Sequence, residues 1–102
     1  MTMAKLKETI KSEIKHFIKE YGGSYSGWYV GVATYPRKRL FTEHNVDEKN
    51  GCWIYREATS SNAAREVEEY FVERLGTDGG TGGGDESTKY VYAYKKTSKT
   101  KE

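Results

Sequence analysis

A chain of 102 residues with 35% hydrophobic side chains has the length of one domain and the apolar supply for one modest core. Its 14% aromatic residues, nine tyrosines among them, argue against a disordered chain despite a charged content of 31%. A formal net charge of +2 excludes a strong global field, the lone Cys52 excludes an internal disulfide and a thiolate zinc site, and no run nears the roughly 20 apolar residues of a membrane helix.

Met3, Leu6, Ile10, Ile14, Phe17, Ile18 and Tyr21 recur at three- and four-residue steps, which predicts a helix capped by Thr2 and stopped by Gly22-Gly23. This lysine-studded segment has no apolar signal-peptide core, so the cytoplasm is the expected location. Trp28 to Thr34 alternates β-branched and aromatic residues around Gly31 and reads as a strand. Pro36 fits the first turn of a short helix from Arg37 to His44. Cys52 to Ala58 is the second strand, and Ser60, Ser61 and Asn62 offer caps for a helix to Leu75 that Gly76 ends. Tyr90 to Tyr94 is the last strand. The order α, β, short α, β, α, β predicts an α+β fold in one domain over residues 1–96, a small three-stranded antiparallel sheet flanked by helices. Residues 97–102 read as a frayed, flexible basic tail.

One stretch carries chemistry. Strand alternation puts Tyr29 and Gly31 on one face, with Trp28, Val30 and Val32 on the other. A glycine beside an exposed tyrosine leaves room for a ligand backbone. Arg37, Leu40, Phe41 and His44 share one side of the short helix, while Arg39 lies nearer an edge. Arginine forks match phosphate geometry.

Tyr29-Val30-Gly31, Arg39-Leu40 ten residues after that tyrosine, and nearby His44 resemble the second half of the GIY-YIG nuclease motif. The later helix agrees, since Ala64 and Glu68 have the spacing of the family's Ala-x-x-x-Glu pattern. The resemblance covers about residues 28–75. It implies a GIY-YIG-like fold and a metal-dependent endonuclease cleaving nucleic-acid phosphodiesters, with DNA the favoured substrate. Tyr29, Arg39 and His44 would then be catalytic, and Glu68 would hold magnesium or manganese. A divalent cation and an arginine suit that chemistry, because a phosphodiester resists attack through its own negative charge. Two departures stand against this. The Gly-Ile-Tyr strand is missing, and His44 lies five residues after Arg39 where the family usually has four, with Glu43 in the expected place. They favour the alternative of a catalytically inactive fold that binds nucleic acid or a protein partner.

The other signals are weaker. Lys7, Lys11, Lys15 and Lys19 form a stripe that either tracks a phosphate backbone or is a solvated face. Arg37, Lys38, Lys11 and Lys15 are the nucleic-acid contacts expected on the first of these. The run Gly79 to Gly84 follows a helix and precedes a strand, the reverse of a phosphate loop, so it reads as a flexible connection or a lid. Tyr90, Tyr92 and Tyr94 share a strand face beside Trp53 and Tyr55. Exposed, that row stacks bases; buried, it supplies core, and the short aliphatic supply favours core.

Overall fold

The computed structural model of the chain describes residues 4–80 and 85–102. Helix α1 (Lys7–Tyr21) precedes strand β1 (Trp28–Ala33), a π-helical turn (Lys38–Glu43) and strand β2 (Trp53–Glu57). Helix α2 (Ser61–Glu69) runs on into a second π-helical stretch (Tyr70–Leu75), and strand β3 (Tyr90–Lys95) closes a three-stranded antiparallel sheet of order β1-β3-β2. The α+β arrangement is the one the residue pattern predicts.

Alternation along the strands divides the sheet into two unlike faces. Trp28, Val30 and Val32 join Ile54, Val91 and Ala93 under Ile10, Ile14 and Ile18 of α1 and Ala64 and Val67 of α2. The Trp28 ring is fully buried, and its indole N–H donates to the Gly22 carbonyl at 3.1 Å, so no polar atom is stranded there. The opposite face is aromatic, with Tyr29, Tyr92 and Tyr94 packing on Leu40 and Val46. Tyr29 stands opposite Tyr94 in the register, and Gly31 stands opposite Tyr92. The tyrosine row of β3 is therefore mostly core, with Tyr92 at 1% and Tyr94 at 0% exposure.

Local chemistry explains most boundaries. Ser60 Oγ accepts from the Ala63 amide at 3.0 Å, satisfying an orphan donor of α2, and Gly76 ends the second π-helical stretch in the left-handed conformation at φ 89°. The first helix starts later than its periodicity suggests. Lys5 is extended, donating its amide to the Glu57 carbonyl at 2.8 Å, so the helix begins only at Lys7, its first bond running from the Ile10 amide to the Leu6 carbonyl at 3.1 Å. Leu6 consequently leaves the apolar stripe and is exposed, Tyr21 at the other end of the helix is exposed as well, and the expected cap Thr2 and stripe residue Met3 lie outside the described residues. Along the outer edge of β1, Val30 donates to the Asp78 carbonyl and the Asp78 amide to that of Trp28, which shields this edge. No described helix is long and apolar enough to cross a membrane.

Candidate active site

Three elements converge on one cleft of about 530 Å³ on the aromatic side of β1. Strand β1 contributes Tyr29 and Gly31, the π-helical turn contributes Lys38 and Arg39, and α2 contributes Glu68. Tyr92 of β3 forms part of its floor, and Asp85, Ser87 and Thr88 form one wall. Residues 81–84 of the expected glycine lid lie outside the described residues, while Gly80 lies against the site, where an added Cβ would sit 3.0 Å from the Tyr29 hydroxyl. Three of the four residues expected to carry chemistry, Tyr29, Arg39 and Glu68, thus line the same space.

The reactive groups are recessed. Tyr29 is 7% exposed, contrary to the exposed tyrosine expected, because its ring stacks on Tyr94 with centroids 5.2 Å apart. Burial pushes its hydroxyl above the usual tyrosine pKa, opposed by a hydrogen bond with Tyr92 and by the charge of Arg39. Glu68 is 5% exposed, and burial, reinforced by the charge of Glu69 and opposed by Arg65, raises its carboxyl to about 7. The room that Gly31 leaves is taken by protein and not by a ligand. A Cβ there would lie 2.6 Å from the Tyr92 hydroxyl and 2.7 Å from its ring carbon Cζ. Since that ring is buried and cannot step aside, Gly31→Ala is expected to cost about 2 kcal/mol by overpacking, to be checked by chemical denaturation.

His44 lies behind Tyr29, their ring centroids 4.7 Å apart, with 6% exposure. Its Nδ1 is 2.7 Å from the Lys101 carbonyl and its Nε2 is 2.8 Å from the Tyr92 hydroxyl. A carbonyl can only accept, so the imidazole proton sits on Nδ1 and Nε2 accepts from Tyr92. Tyr94 completes the set, its oxygen 3.0 Å from Nδ1 and its proton donated to the Glu102 carboxylate at 3.0 Å. Residues 97–102, expected as a frayed tail, are turned back onto this histidine. The Lys101 amide donates to the His44 carbonyl at 2.7 Å, and Asn45 Nδ2 to the Lys99 carbonyl at 3.0 Å.

The expected nucleic-acid contacts divide. Lys38 lines the cleft. Arg37 is turned away, ion-paired with Glu48 and lying over the Phe41 and Trp53 rings at 5.0 and 5.8 Å. Lys11 and Lys15 sit on α1, across the sheet from Tyr29, both over the Tyr70 ring, with Lys15 Nζ 3.1 Å from the Tyr70 hydroxyl. Lys11 also pairs with Glu8. At the cleft itself Arg39 Nε pairs with Glu43 at 2.9 Å. Sequence reading missed the part of Tyr92, whose ring stacks beside Tyr29 and whose hydroxyl bonds to His44. The alternation of tyrosines in β3 was the available signal, but only the sheet register shows which partners they meet.

Among the described residues no cluster of three or more His, Cys, Asp or Glu could hold a metal ion. A single carboxylate still suits one cation class. Magnesium is commonly held by one or two carboxylates together with water and substrate phosphate, and Glu68 at a polar cleft fits that donor set. Compared with protein-family models, with curated proteins and with solved structures, the chain matches none of them.

Proposed function

We propose that this cleft is the site of a metal-dependent endonuclease acting on nucleic-acid phosphodiesters, as the resemblance to the GIY-YIG family implies. The observation that carries the reading is the meeting of Tyr29, Arg39 and Glu68, drawn from three elements up to 39 residues apart, on one recessed and polar space. A divalent cation held by Glu68 with water and the substrate phosphate would supply charge neutralisation at phosphorus. Arg39 donates to a non-bridging phosphate oxygen, exchanging Glu43 for the substrate. Tyr29 orients the attacking water. As the water gives its proton to the Tyr29 oxygen, Tyr29 passes its own to Tyr92, and Tyr92 passes one to Nε2 of His44. As the new P–O bond forms the opposite one breaks, the leaving oxygen takes a proton from solvent, and His44 ends as an imidazolium whose Nδ1–H stays on the Lys101 carbonyl.

The test combines stepwise addition of manganese, followed by NMR, with a cleavage assay. Paramagnetic broadening should centre on Glu68 and reach Tyr29 and Arg39, and Glu68→Gln should abolish both the broadening and any magnesium-dependent cleavage. Unchanged binding and cleavage in that variant would sink the assignment.

A second reading is favoured by the Arg39–Glu43 pair, which occupies the guanidinium that a phosphate would need, and by the raised pKa that burial gives Tyr29. On it the protein is a catalytically inactive module that binds nucleic acid or a protein. Such a module binds nucleic acid as well in chelator as in magnesium and loses affinity steeply with salt. The nuclease needs the cation.

A further inference from the structure

The rim of the cleft differs from its floor. Tyr35 lines the cleft and is 72% exposed, the most exposed of the large apolar residues described. Its position is nevertheless fixed by the backbone. Pro36 follows it, which restricts its own φ and ψ, and its carbonyl accepts the Arg39 amide at 3.1 Å. The turn that carries Lys38 and Arg39 thus also places Tyr35 at the exposed rim of the cleft. A ring so exposed contributes nothing to the core, and it lines the same cleft as two cationic side chains, Lys38 and Arg39.

The depth of the site limits what can use it. Tyr29 and Glu68 are 7% and 5% exposed, so a phosphodiester must enter the cleft to reach them. A volume of about 530 Å³ suits a nucleotide-sized ligand, within the range of small-molecule pockets. The backbone of a paired duplex is carried on a rigid helix and cannot bend one phosphate inward without unstacking its neighbours. An unpaired strand can, and its freed base then needs a stacking partner.

Resting on the phosphodiester reading above, we infer that the cleft takes an unpaired nucleic-acid strand, with one base stacked on Tyr35 and the adjoining phosphate drawn in past Lys38 and Arg39. At the wall the Thr34 and Thr88 hydroxyls bond to each other at 3.1 Å and the buried Thr88 oxygen also accepts from the Asp85 amide, so this pair is spent within the protein and the base is held by stacking. The strand is consequently bound with little preference for sequence.

The experiment measures binding of one fluorescent oligonucleotide, single-stranded and as its duplex, to the wild type, Tyr35→Ala and Tyr35→Phe, in chelator and in magnesium. The single strand should bind more tightly than the duplex, and Tyr35→Ala should weaken it about tenfold while Tyr35→Phe keeps it. An oligonucleotide carrying 2-aminopurine should lose fluorescence on binding to the wild type and not to Tyr35→Ala. Duplex binding as tight as single-strand binding, or a Tyr35→Ala variant equal to wild type, overturns the inference and leaves the catalytic reading standing. Tight, Tyr35-dependent strand binding without any Glu68-dependent cleavage supports the inference and overturns the catalytic reading. Absence of binding to either form overturns both.

Discussion

Replacing Glu68 with glutamine is expected to stabilise the metal-free protein by about 3 kcal/mol at pH 8 while removing the proposed cation site. The folded carboxyl has a pKa of about 7 against an ordinary value of 4.5, so the folded state holds the proton more tightly than the unfolded chain does. The Glu68 contribution to wild-type stability is therefore full below pH 4.5, falls as pH rises towards 7, and is level above it. Glutamine resembles the protonated acid in shape and polarity and cannot ionise. The variant should show no such fall, and the two proteins should converge at pH 4. Urea denaturation in chelator across this range is the measurement. A difference between the two proteins that does not grow from pH 4.5 to 7 would mean that Glu68 is solvated. A carboxylate kept at the expense of stability is what a site with a task for that carboxylate would show.

The second large effect belongs to His44. Its removal by His44→Ala takes the acceptor from the buried Tyr92 hydroxyl, releases the Lys101 carbonyl and leaves a void beside Tyr29 and Tyr94. A stranded buried hydroxyl and a cavity together should cost about 3 kcal/mol. His44→Gln should lose less, because its amide can accept from Tyr92 and donate to Lys101. Thermal and urea unfolding of the two variants separate the terms, and equal losses would mean that ring packing alone matters. The wild-type tautomer can be checked directly by nitrogen NMR of the imidazole, which should place the proton on Nδ1.

Local rules made the frame readable. Alternation through Trp28 to Ala33 assigned the two sheet faces correctly, Ser60 is the cap it resembles, and Gly76 is the left-handed stop. Of the candidate site, the grouping was readable as a spacing: Tyr29, Arg39 and Glu68 share a cleft. What failed was the placing of the cationic side chains and of the tail. Arg37 and Arg39 look alike in sequence, but aromatic rings and Glu48 hold the first, and only the second reaches the cleft. Lys11 and Lys15 are bound to Tyr70 on the far side of the sheet. The tail looked free because nothing local holds it; its partners lie some 50 residues earlier in the chain, around His44. The five-residue step from Arg39 to His44 also has a physical account. The turn is π-helical, and the His44 amide donates to the Arg39 carbonyl at 2.9 Å, so the wider turn carries residue 44 round to lie beneath residue 39.

The close fit of Tyr92 over Gly31 ties two positions 61 residues apart into one heritable unit. Any side chain at 31 demands a smaller one at 92, and a smaller one at 92 takes the hydroxyl from His44. Position 31 cannot gain a side chain while tyrosine stays at 92, and the change that makes room removes the hydroxyl that His44 accepts from. Among descendants of this sequence, tyrosine at 92 should be found only with glycine at 31.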